Sequence, residues 1–384
     1  MRLSDWIERI DLQEEIQEVY VHSFLFKLAV RLVSIFLPLY LLNIGLDPME
    51  VVLFFAAYYG VRVFASLPCS WIACRIGYKR ASLAASPLLL MFYLVLRSLE
   101  SGGPELYAVG VVGSLGFNLY WMGMNPEVAT SSHSGSREKE TGYFVSMSQL
   151  SSVISPFVGG LVLATFSFEV LFLLAAGVMA LSFTPFLLSS KHGGRVRYNL
   201  LEFVRGMDRA DILTFLFRGS LGSGRKVVWP LYLATIIGSV GIGGSGSLMA
   251  LASAAVSVGV GKTVDDGNRA RVLAIGGVVS ALSYAGMSLV AGTGTALLVS
   301  VLNGFATTSL TVPVFSRAQD HAEKLETAEY FAVREMLFGA SKVVVLGIAA
   351  VAFQLLPQDP AFTVGFLIYG LACLCTAVYG SRMK

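Results

Sequence analysis

Twelve stretches of about twenty mostly apolar residues, separated by short polar or glycine-containing breaks, run through the 384 residues of this chain. About twenty residues of α-helix cross the roughly 30 Å of hydrocarbon in a bilayer. Backbone amides in hydrocarbon must all find partners, so each stretch reads as a spanning helix; the alternation expected of barrel strands is absent. The spans are placed at 21–43, 48–73, 81–99, 105–124, 142–166, 168–189, 212–237, 246–264, 272–290, 295–315, 328–356 and 361–379. Composition agrees, with 55% hydrophobic and only 14% charged residues, against about 25% charged in a soluble domain. The fold class expected is an all-α integral membrane protein of about twelve transmembrane helices.

Orientation follows from where the charges fall. Nineteen Lys and Arg residues lie in one set of connections, from Arg2 and Arg9 through Arg137 and Lys139 to Arg382 and Lys384. The alternate connections, around Leu46, Gly103, Ser167, Gly243, Gly292 and Gln358, hold none, with Arg97 near one of those ends. Cytoplasmic connections carry the excess of basic residues. The pattern predicts a multi-pass protein of the cell (plasma or inner) membrane with both termini cytoplasmic. Residues 1–20 are acidic and place Trp6, Ile7, Ile10 and Ile16 near one helical face, an amphipathic segment suited to the membrane surface rather than a cleaved signal. The four cysteines, Cys69, Cys74, Cys373 and Cys375, lie in or beside apolar blocks and offer neither a disulfide framework nor a zinc spacing.

The longest polar break divides the chain into six spans and six, and the halves share short words. Phe24-Leu25-Phe26-Lys27 with Pro38-Leu39-Tyr40-Leu41 returns as Phe215-Leu216-Phe217-Arg218 with Pro230-Leu231-Tyr232-Leu233. Glu140-Thr141-Gly142-Tyr143-Phe144 returns as Glu326-Thr327-Ala328-Glu329-Tyr330-Phe331. Two matches in the same order indicate parallel repeats. The expected organisation is an N-terminal segment (1–20), a six-helix bundle (21–190), a basic cytoplasmic linker (191–211) and a second six-helix bundle (212–384).

Between spans two and three, Ser70-Trp71-Ile72-Ala73-Cys74-Arg75-Ile76-Gly77-Tyr78-Lys79-Arg80 resembles the cytoplasmic loop signature of the major facilitator superfamily: Gly, three residues, Asp-Arg, one residue, Gly, then basic residues. Arg75, Gly77, Lys79 and Arg80 match, while Ser70 and Cys74 replace the family's Gly and Asp. The equivalent loop of the second half keeps Gly261, Asp265, Gly267 and Arg269. In the fifth span, Ser151 to Gly160 is similar to the Gly-x-x-x-Gly-Pro-x-x-Gly-Gly signature of the family's exporters, with Ser155, Pro156, Gly159 and Gly160 at a bend. The resemblance implies two pseudo-symmetric six-helix bundles, alternating access between them, loops that gate the cytoplasmic side, and efflux as a direction of transport.

Nine basic residues fall within or at the ends of spans: Lys27, Arg31, Arg62, Arg97, Arg218, Arg225, Lys226, Arg334 and Lys342. A basic group at the bilayer centre costs at least about 2.5–3.5 kcal/mol, so it normally faces water or a partner. Arg31, Arg62 and Arg225 are deepest; Lys27, Arg218 and Arg334 lie near the ends and are long enough to snorkel, and Arg97 suits an interface anchor. Glu335 is the carboxylate inside a span, with Arg334 beside it and Lys342 two turns along. Such an excess of positive charge suits an anionic substrate. The residues assigned to substrate binding are Lys27, Arg31, Arg62, Asn118, Trp121, Arg218, Arg225, Asn303 and Arg334, with Glu335 as candidate for proton coupling; His22 and His133 are assigned to the solvent side.

No catalytic constellation, metal-ligand spacing or phosphate-cradling loop is present, so no enzyme activity, cofactor or metal is expected, and no nucleic-acid partner. The reading is a monomeric secondary active transporter in the lipid bilayer that moves a small anionic or amphipathic organic solute, with protons as a coupling ion. Two other readings stay open: a multidrug-type exporter of lipophilic compounds, and a non-transporting receptor or scaffold of the same fold.

Overall fold

The computed structural model describes residues 20–99, 103–131, 137–188, 207–324 and 327–383. The amphipathic segment, most of the linker and His133 lie outside the described residues, as do the side chains of Asp265 and of the word 140–144. Twelve helices follow one another: α1 (Tyr20–Asn43), α2 (Pro48–Ile76), α3 (Tyr78–Leu96), α4 (Pro104–Ser131), α5 (Arg137–Thr165), α6 (Phe168–Leu187), α7 (residues 209–233), α8 (Ser239–Thr263), α9 (Arg269–Met287), α10 (Thr293–Lys324), α11 (Thr327–Leu355) and α12 (Gln358–Gly380). No strand occurs among the described residues. All but α4, α5 and α7 are apolar and long enough, within what is described, to cross a bilayer unaided. Leucines such as Leu187, Leu289 and Leu355 stay largely exposed, as lipid-facing side chains do.

Local chemistry sets the ends. Asp47 caps α2 by accepting from the Glu50 amide at 2.8 Å, the Glu50 carboxylate accepts from the Asp47 amide at 2.9 Å, and Pro48 takes the first helical position, a reciprocal capping box. Gly77 ends α2 at φ 95°, and Gly267 sits at φ 84° between α8 and α9. Both loop glycines therefore take a positive φ that a side chain would strain, although their ψ differ at 148° and 5°.

The repeat appears in bonds as well as words. Tyr40 of α1 donates to the Leu96 carbonyl at the end of α3, and Tyr232 of α7 donates to the Val290 carbonyl beyond α9. Tyr40 also packs on Phe168 and Phe172 of α6, as Tyr232 packs on Phe362 and Phe366 of α12. Both first helices are irregular just ahead of their proline. α1 turns at residues 35–36 before Pro38, and α7 widens to a π-turn over Gly224–Val228 before Pro230. Proline removes a ladder hydrogen bond and crowds the preceding turn, which accounts for both breaks.

The bundles meet along two seams. In one, α2 lies against α11: the Ser70 hydroxyl donates to the Ala328 carbonyl at 3.2 Å, and a Cβ at Gly339 would stand 3.2 Å from the Tyr59 carbonyl. In the other, α5 carries Pro156 within the helix and its backbone meets α8 directly. The Phe157 amide donates to Ser247 at 3.0 Å, and Ser239 donates to the Gly160 carbonyl at 3.3 Å. The helix α8 thus begins at Ser239, seven residues before the start expected from hydropathy, and Gly243 is a buried packing residue, not a loop residue. The Gly/Ser-rich start of α8 lacks the apolar side chains that mark a span, because its task is close backbone approach.

Candidate functional site

The basic side chains expected at depth do converge, at the middle of the junction between bundles. Arg62 stands fourteen residues from either end of α2, about 21 Å by helical rise. Its guanidinium lies 4.0 Å from the Glu335 carboxylate of α11, whose other oxygen accepts from Arg334 at 3.0 Å. All three are largely buried, and the Arg62 and Arg334 Nε atoms are enclosed without a hydrogen-bond partner. Arg334 also lies over the Phe331 ring at 4.6 Å, and Lys342, two turns on, lies over the Tyr59 ring at 4.5 Å. Aromatic faces stabilise these desolvated cations where carboxylates are few.

A second basic group comes from α1 and α7. Arg31 donates to the Ser151 hydroxyl of α5 at 3.0 Å. Arg218 and Arg225 both reach α10, donating to Thr311 at 2.8 Å and Thr307 at 3.3 Å; Arg225 also contacts the Met249 sulfur of α8. Thr307 and Thr311 are one turn apart, so the threonine hydroxyls form a short ladder for two arginines. The π-turn carries Arg225 and Lys226 together, and such widened turns often occur at functional positions. Lys226 is exposed although it lies within electrostatic reach of Arg31, Arg62, Arg225 and Glu335. Sequence reasoning left Lys226 and Lys342 out of the site; adjacency to Arg225 and a two-turn spacing from Glu335 were the available signals.

Other assigned residues lie elsewhere. Asn118 is 1% exposed and bonds Ser66 and the Arg62 carbonyl of α2, while Asn303 is fully buried and donates to Ser283 of α9. Both tie helices within a bundle. Trp121 packs beside Tyr120 and Phe26. His22 is not on the solvent side: it is fully buried, bonding the Ser182 carbonyl through Nδ1 at 2.6 Å and Tyr120 through Nε2 at 3.0 Å and stacking on Phe186. Its partners are remote in sequence, so nothing local marked it as buried.

The loop residues are partly displaced from the positions expected of them. Lys79 is on the first turn of α3, 1% exposed, and pairs with Glu127 of α4 at 4.0 Å. Arg75 stacks on the Trp71 ring at 4.0 Å, and Arg80 is exposed. Cys74 is buried against Tyr78, with the buried Glu329 of α11 in electrostatic reach of both. A carboxylate thus stands near the position where the loop signature has Asp, supplied by the opposite bundle. In the second half Gly261 lies in the last turn of α8 and Arg269 opens α9, and a Cβ added at Gly261 or Gly267 would meet nothing within 4 Å. A crevice of about 400 Å³, lined by Tyr232, Thr235, Ser288, Gln358 and Asp359 among others, opens at the far end of α7, α9 and α12, away from both basic groups.

Comparison with known proteins fits this architecture. The family model for the Major Facilitator Superfamily matches residues 19–204. No curated protein is matched by sequence. Among solved structures, a POT family transporter in complex with 5-aminolevulinic acid superposes with TM-score 0.75 at 14% identity, covering 95% of this chain and 94% of that one. A POT family transporter in complex with a thioalcohol-conjugated peptide gives 0.78 at 15%, covering 97% and 100%. A D-xylose–proton symporter gives 0.74 at 13%, covering 96% and 97%. The family model thus matches the N-terminal half, and the chain shares over nearly its whole length the fold of these transporters, which makes it a multi-pass helical membrane protein similar to the Major Facilitator Superfamily.

Proposed function

We propose that the chain moves a small organic anion across the cell membrane by alternating access of its two bundles, as a monomer with both termini cytoplasmic. The observation that supports this most is that the π-turn of α7 delivers Arg225 and Lys226 within electrostatic reach of Arg31 and Arg62 of the other bundle. Guanidinium groups held between two moving bodies, with neutral hydroxyl partners, are suited to close on a carboxylate or phosphate. Glu335 is the group through which a proton would be coupled: protonated, it releases Arg62 for the substrate. The comparison structures fit a small-molecule cargo, one of them being described as a proton symporter.

Arg225→Gln is expected to abolish stabilisation by organic anions in a thermal-shift assay while leaving a folded protein, since its partners Thr307 and Met249 are neutral. Arg225→Lys should also weaken it, because a point charge cannot replace a planar fork. Full anion-dependent stabilisation in Arg225→Gln would move the lipophilic-export reading to first place.

The orientation has its own test. Single cysteines at Gly103, Gly238 and Gln358 should react with an impermeant thiol reagent added outside intact cells, and one at Gly267 should not. Outside labelling of Gly267 would reverse the topology.

A further inference from the structure

We infer that the substrate carries at least two negative charges, and that Lys226 is the residue that selects for the second; this rests on the anion-transport reading above. The reasoning is a charge balance at the centre of the molecule. Arg62, Arg218, Arg225 and Arg334 are permanent cations, and Glu335 is the carboxylate that pairs with them among the described residues. Glu335 is engaged by Arg62 and Arg334, so Arg218 and Arg225 keep only threonine hydroxyls and a thioether as partners. The guanidinium groups alone leave three positive charges over. Lys226 and Lys342 are two further basic groups beside them, with no carboxylate paired to either among the described residues.

A monoanion seated at this junction would leave most of that excess in place, in a setting where charges interact far more strongly than in water. A dianion or trianion lowers it in proportion. The geometry also separates two receiving groups, Arg62 beside Glu335 and Arg225 beside Arg31, with Lys226 in electrostatic reach of both. A solute with one anionic head can occupy one group. A solute with two, or a phosphate monoester with its doubly charged head, engages a group and Lys226 together. Lysine suits this task because its ammonium is a mobile point charge, free to follow a second head of variable position, and Lys226 is the exposed cation of the cluster.

The test uses the full chain purified in nanodiscs and measures thermal stabilisation at fixed ionic strength near pH 8. One ladder is propionate, succinate and propane-1,2,3-tricarboxylate; the other is dimethyl phosphate and methyl phosphate. Apparent affinity is expected to rise about tenfold or more from the monoanion to the dianion of at least one ladder. In Lys226→Gln the dianion should lose about tenfold while the monoanion changes less than about threefold. Equal affinity for mono- and multivalent members in wild type, or an unchanged ladder in Lys226→Gln, overturns the inference and leaves the anion reading standing. If no member of either ladder stabilises the protein, the anion reading itself falls, and the inference with it.

Discussion

Gly243→Leu is expected to yield a protein that either fails to accumulate or unfolds well below wild type, whereas Gly347→Leu should behave almost as wild type. The two glycines are both in spanning helices, and their surroundings set them apart. A Cβ at Gly243 would lie nearly upon the Pro156 carbonyl oxygen and 3.3 Å from the Gly160 Cα, while at Gly347 nothing lies within 4 Å. The contact at Gly243 is backbone against backbone, so no rotamer change relieves it. Relief requires α8 to back away from α5, which breaks the Phe157–Ser247 and Ser239–Gly160 hydrogen bonds at the same seam. Overpacking a tight interface costs about 1–3 kcal/mol, and more where backbone must move. The measurement is the melting profile by size-exclusion chromatography after heating in detergent, with reconstituted flux on whatever remains folded. A Gly243→Leu protein as stable as wild type would mean that the seam is loose enough to slide, and α5 against α8 would then be the mobile contact of the transport cycle.

That seam also marks a limit of reading the sequence. Hydropathy places most of the helices to within about three residues because lipid-facing surface demands long apolar runs, although α5 starts five residues early and α4 and α10 run seven and nine residues past their expected ends. It misplaces the start of α8 because Ser239-Val240-Gly241-Ile242-Gly243-Gly244-Ser245 is written for another helix rather than for lipid. The repeated words, by contrast, point to real equivalence, since the Pro-x-Tyr pattern becomes Tyr40 and Tyr232 making the same bond to the same place in each bundle. Charges were legible as a set but not as pairs. Arg62 and Glu335 lie on different bundles, and neither position hints at the other. His22 was assigned to the solvent side and Lys79 to a gating loop, yet both are buried. Their partners Tyr120, Ser182 and Glu127 lie on other helices, and only the packing of α1, α3, α4 and α6 brings them together. The π-turn has no sequence mark beyond the nearby proline, and that turn is what places Lys226 between the two basic groups.

If Glu335 is a structural tie and not the proton carrier, Glu335→Gln should be the most destabilising charge change in the molecule, lowering stability by about 3–5 kcal/mol, the usual cost of removing one partner of a buried ion pair. Glu335 holds Arg62 of one bundle at 4.0 Å and Arg334 of the other at 3.0 Å, with Lys342 in electrostatic reach. Neutralising it leaves three cations facing one another with little water between them. The pairing predicts a specific rescue. Arg62→Gln added to Glu335→Gln removes the charge that was left behind, so the double variant should recover at least about half of the lost stability, a coupling measurable as a double-mutant cycle. Gln also imitates the protonated carboxyl, which separates a structural ion pair from a proton carrier. If Glu335 carries the coupling proton, Glu335→Gln in vesicles should still exchange labelled substrate across the membrane but no longer accumulate it against a gradient when a proton gradient is imposed. Its stability should then lie close to wild type, because the protonated state is one that the cycle must visit. Loss of stability with rescue by Arg62→Gln assigns Glu335 to holding the bundles together, and the proton, if one moves, must then be carried by the substrate or by another residue of the cleft.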